Sequence, residues 1–150
     1  MTSPPLKPEF DRVNFKILLW ANIIMSLTII GHDMDHVRQA HHWCYTIPAS
    51  LCLINLLVYA PSMLALFLTF RHKRVAALTT IFNGLFVAIS FAEVHLWRPS
   101  IPVWGIWNTN FFLLGVDAIS WIVLAITVFV GVGVAMAGVY VCGRQSLTKA

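Results

Sequence analysis

His32 and His36 stand four residues apart. On a helix that spacing puts two imidazoles on one face, within reach of a single metal ion. They belong to a polar knot, GHDMDHVRQAHH over residues 31–42, which holds four of the chain's six histidines and two of its six acids. Asp33, Glu93, Asp117 and His95 are the further donors expected to converge on the pair. A mixed nitrogen and oxygen set of this kind suits zinc, nickel, cobalt, iron or copper.

The setting of the knot makes it more than a chance cluster. The chain is 59% hydrophobic and 11% charged, with a mean hydropathy of +0.78. Such a composition cannot cover its own surface with polar groups, so lipid must serve as part of the solvent. Ionisable groups placed at membrane depth are costly and by default mark a functional site. The isoelectric point near 9.3 does not point to nucleic acid, because the basic residues are scattered through short loops and form no basic face with interleaved aromatics.

Four segments are long enough to cross the hydrocarbon as helices: 15–36, 47–70, 75–96 and 116–141. The expected fold is therefore an all-α integral membrane protein, a single domain forming an antiparallel four-helix transmembrane bundle. Lys7, Arg12, Lys16, Arg71, Lys73, Arg74, Arg144 and Lys149 fall on one side, against Arg38 and Arg98 on the other. That asymmetry puts the tails 1–12 and 144–150 in the cytoplasm and the knot at the outer face. The expected setting is a bacterial-type cytoplasmic membrane. The third connection, residues 98–110, is rich in Trp and Pro and reads as an interfacial loop over the outer helix ends. Trp97, Trp104 and Trp107 are its headgroup anchors.

Helix rise places the candidate ligands in one layer. His32 lies about 24 Å and His36 about 30 Å above Lys16, while Glu93 lies about 28 Å above Arg74. Asp117 would be about 40 Å from Arg144 along a straight helix, so the fourth helix must tilt strongly or bend near Gly115. Facing follows from the helical period. Asn22, Ser26, Asp33 and His36 share a stripe with His32 at its edge, and Asn55, Tyr59 and Ser62 match it on the second helix. Thr79, Asn83, Ser90 and Glu93 form the expected inner stripe of the third, with His95 turned away unless the helix end lets it swing inward. Asp117 and Ser120 share a face with Gly131, Ala135 and Gly138, small residues that permit close helix packing. Asp35 is placed to pair locally with Arg38. Arg38, His41 and His42 are expected beyond the helix among headgroups, and His72 in a loop.

Residues 33–37, DMDHV, locally resemble the D-A-D-H-I core of nickel/cobalt permeases. In that family a histidine lies three residues before the first aspartate, whereas here His32 immediately precedes Asp33. The family also has more spans, and the likeness covers five residues.

The leading functional reading is a transition-metal site serving uptake, sensing or delivery. Three others stand beside it. An accessory subunit would use the polar layer only for packing. A small metal-dependent enzyme would activate water against a lipid-like substrate. A haem protein would set His32 or His36 opposite His95. Four spans make a narrow conduit, so transport would call for a homo-oligomer or a larger membrane complex. Cys44, Cys52 and Cys142 form no closely spaced redox pair.

Overall fold

The computed structural model describes residues 11–42, 47, 49–97 and 111–147. Its helices are α1 (Arg12–His42), α2 (Ala49–Phe70), α3 (Val75–Leu96), the single turn α4 (Phe111–Leu114) and α5 (Ala118–Leu147). Residues 1–10 of the N-terminal tail, Cys44, the Trp/Pro-rich loop 98–110 and the last three residues lie outside the described residues. Trp97 is exposed, and Cys52 and Cys142 are free thiols.

Local chemistry explains where the helices start and stop. Asp11 caps α1 by accepting the Asn14 N–H at 2.7 Å. The helix then runs to His42, six residues past the expected end, because no Gly or Pro interrupts residues 32–47. Arg38, His41 and His42 are thus helical rather than beyond the helix. The end of α2 is a Schellman turn: Lys73 N–H donates to the Leu68 carbonyl and His72 N–H to that of Thr69, with His72 at φ 50°. At the start of α5 the chain breaks at Gly115, whose φ of 61° lies in the left-handed region. The question of tilt or bend is answered there: the helix stops at α4 and restarts after Asp117, which accepts the Ser120 N–H.

Three of the helices, α1, α3 and α5, are long and apolar enough to cross a membrane; α2 carries a shorter apolar stretch, Asn55–Phe70. Large apolar side chains such as Leu27, Leu57, Phe82 and Phe129 point away from the bundle. Such a face suits lipid and would be costly in water.

The four long helices pack as an antiparallel bundle, with the broadest contact between α3 and α5. Their backbones touch: a Cβ added to Gly84 would lie 2.4 Å from the Gly131 carbonyl oxygen, and one on Gly131 2.8 Å from that of Gly84. Polar groups then join helices across the interior. Asn22 Nδ2 donates to Thr80 Oγ1 at 2.8 Å, Asn83 Nδ2 to Asn22 Oδ1 at 2.9 Å and Ser62 Oγ to Asn83 Oδ1 at 2.9 Å. Arg144 closes one end of the α1–α5 pair by donating to Asn14 Oδ1 and Asp11 Oδ2.

The glycine contact makes a testable demand. Gly84→Ala should lower stability by about 1–3 kcal/mol through overpacking against α5. Gly133→Ala, where an added Cβ meets nothing within 4 Å, should leave stability unchanged or raise it by up to about 1 kcal/mol, because alanine is the better helix former. Equal effects of the two substitutions in detergent unfolding would contradict the backbone contact.

Candidate metal centre

About two to three helical turns before the end of α1, three imidazoles meet. His32 and His36 come from α1 and His95 from α3, and they are 2%, 5% and 6% exposed. Their Nε2 atoms face one another: His32 to His36 at 3.1 Å, His32 to His95 at 3.3 Å and His36 to His95 at 3.4 Å. Phe91 packs edge-on to His32, with ring centroids 4.5 Å apart, and Phe111 edge-on to His95 at 4.7 Å. The three histidines form a group able to hold a metal ion.

Hydrogen bonding on the far side of two rings fixes where their protons sit. The Phe91 carbonyl, 2.8 Å from His95 Nδ1, can only accept, so Nδ1 carries the proton and Nε2 a lone pair. The Thr127 hydroxyl donates to the Val123 carbonyl at 2.8 Å, which leaves its oxygen to accept from His32 Nδ1 at 3.3 Å. His32 Nε2 is then a lone pair as well. Two acceptor nitrogens lie 3.3 Å apart in a buried site, an arrangement that a central cation relieves. Ring N–H groups anchored on carbonyls or hydroxyls are also the usual outer support of metal-binding histidines.

The spacing agrees with coordination geometry. Metal–nitrogen bonds of about 2.0–2.1 Å in a tetrahedral site put neighbouring nitrogens about 3.3–3.4 Å apart. Three ligands leave a fourth position for water or another small ligand.

The acids go elsewhere. Asp33 accepts from Asn55 Nδ2 at 2.6 Å and from the Tyr59 hydroxyl, and so ties α1 to α2. Glu93 is exposed on α3, about 200° around the helix from His95. Asp117 makes a two-pronged contact with Arg38, NH1 to Oδ2 at 2.7 Å and NH2 to Oδ1 at 2.8 Å. Asp35 does pair with Arg38, Nε to Oδ1 at 2.7 Å, and also accepts from Gln39 Nε2 at 2.8 Å. The inner face of α3 is accordingly Thr80, Asn83, Gly84, Val87, Ala88, Phe91 and His95, rather than the stripe ending at Glu93. Arg38 is the centre of an ion-pair cluster that also takes in Ser120. Ser120 does lie beside Asp117, whereas Gln39, Thr127 and the link from Arg38 to Asp117 were not readable; the small residues Ala76, Ala77, Gly84 and Ala88 signalled which face of α3 turns inward.

Family models, curated proteins and solved structures give no match to this chain. The chemistry of the site carries the functional reading alone.

Hydrogen bonds from Arg38, then from the Ser120 N–H, hold the Asp117 carboxyl well below the ordinary carboxylate range. A depressed folded value means that the contact stabilises fully above the unfolded carboxyl value of about 3.9 and is lost as pH falls toward the folded one. Asp117→Asn should therefore be less stable than the parent at pH 7, with a gap that narrows below about pH 4. Unfolding in detergent across pH 3–7 checks this, and a gap that widens in acid would contradict it.

Proposed function

We propose that this chain is a multi-pass membrane protein that binds one transition-metal ion on His32, His36 and His95, in the leaflet away from the cytoplasm, with both termini cytoplasmic. The observation that carries the reading is the triad of Nε2 atoms 3.1–3.4 Å apart, two of them with lone pairs fixed by outward hydrogen bonds. Three neutral imidazoles suit zinc, copper, nickel, cobalt or iron. The Lys and Arg asymmetry supports the orientation.

Metal handling, as uptake, sensing or delivery, fits better than hydrolysis. Water activation wants a general base beside the ion. Among the described residues, Asp33 and Asp35 are occupied by donors, Asp117 is paired with Arg38, and Glu93 faces away. The imidazoles contact one another directly, which leaves no slot between them for a porphyrin. One chain supplies all three ligands, so binding needs no second copy, although transport would.

A second reading is favoured by the Asn22, Thr80, Asn83 and Ser62 network, which joins helices with no need of a metal. On that reading the triad is another interhelical clamp in an accessory subunit.

Metal analysis of the purified protein separates the two. We expect one ion per chain, lost in His32→Ala, His36→Ala and His95→Ala and kept in His41→Ala, His42→Ala and His72→Ala. Protons compete for the same nitrogens, so affinity should weaken in acid. Full metal content in the His32/His36 double variant, or none of the five metals in the parent, would replace the metal reading with the clamp.

A further inference from the structure

At the end of the bundle above the triad, Arg38 links α1 to the start of α5. Arg38 reaches from the buried Asp35 to Asp117, which sits at the rim with its side chain 41% exposed. Its NH2 also donates to Ser120 Oγ at 2.9 Å, and Gln39 Nε2 donates to the same oxygen at 2.7 Å. Asp35 is next to His36 on α1 and Gln39 is three residues beyond it, so this cluster adjoins the imidazole layer.

Asp117 in turn ends the segment that covers His95. Phe111, 2% exposed, packs edge-on to His95 and is held from the other side by Trp121 at 5.4 Å. Between Phe111 and Asp117 the chain bends at Gly115, in a conformation that L side chains rarely adopt. One ion pair from α1 thus pins the far end of a short cover whose near end lies on a ligand ring.

We infer that residues 111–117 form a lid over the metal site, latched by Arg38 on Asp117, and that opening of this latch sets the rate at which the ion enters and leaves. The inference rests on the metal reading of the triad. Arg38 is a positioning residue here and touches no ligand of the ion. Its long side chain is 34% exposed, so release into solvent needs no repacking of the core. With Asp117 released, residues 111–117 move away from α1 together with the start of α5, and Phe111, which packs on Trp121, lifts from His95.

The test uses the full-length protein in detergent, loaded with zinc, and follows removal of the ion by an excess of a chelator. Asp117→Asn and Arg38→Gln should each speed removal about tenfold or more, as loss of one charge-assisted contact in the closed state implies. Each should still bind one zinc at equilibrium. The double variant should be no faster than the quicker single one, because both substitutions open the same latch. Phe111→Ala should also speed removal, and Arg38→Lys, which keeps the charge without the fork, should fall in between. Arg144→Gln breaks the ion pair at the opposite end of the same helix pair and should leave the rate unchanged. Equal rates for the parent, Asp117→Asn and Arg38→Gln would overturn the latch while leaving the metal site standing. An equal acceleration in Arg144→Gln would overturn it too, by assigning the effect to overall loosening. A parent protein that takes up no zinc would overturn the latch and the metal reading together.

Discussion

Backbone contact between α3 and α5 sets the rotation of α3, and that rotation decides which of its side chains face inward. Gly84 and Gly131 can meet only if the small-residue face of α3 turns toward α5. Ala77, Ala88, Phe91 and His95 then turn inward with it. Glu93, two residues from His95, is carried to the outside by the same geometry. The composition of the candidate metal centre follows from a steric fit near the middle of the bundle. A larger residue at position 84 would push the helices apart well away from the histidines and disturb them indirectly.

A second constraint comes from the lipid-like surroundings, where each interior polar group needs a protein partner. The bundle meets it in layers. Asp11, Asn14 and Arg144 satisfy one another at one end. Asn22, Thr80, Asn83 and Ser62 do so in the middle. At the other end Arg38 satisfies two carboxylates while Asn55 and Tyr59 satisfy a third. The imidazole layer differs in kind. Its outward nitrogens on His32 and His95 have acceptors, and its inward nitrogens bring lone pairs together. That group could hold a metal ion.

Much of this was legible in the sequence because it depends on period and length alone. The four helical segments, the local Asp35–Arg38 pair and the packing face of α5 follow from apolar run length, i to i+3 spacing and the run Gly131, Ala135, Gly138. The pairing of His32 with His36 follows from i to i+4 spacing. What was not legible depends on contacts between helices. Ranking the faces of α3 by polarity favoured Thr79, Ser90 and Glu93, whereas packing against α5 selects by size and favours glycine and alanine. Arg38 was misplaced for a different reason. Its polarity suggested a position beyond the helix, but no residue between 32 and 47 stops the helix, and Asp117 arrives from 79 residues away to receive it. A bidentate partner at that separation leaves no trace in local pattern.

The central claim is that the three imidazoles are ligands of one ion. X-ray absorption at the zinc edge of the loaded protein tests it most directly, because imidazole rings give a scattering pattern that carboxylates and water do not. The account predicts three imidazole nitrogens at about 2.0 Å with one further light ligand. A first shell of oxygens without imidazole scattering, or a sulfur shell from the free cysteines, would contradict it.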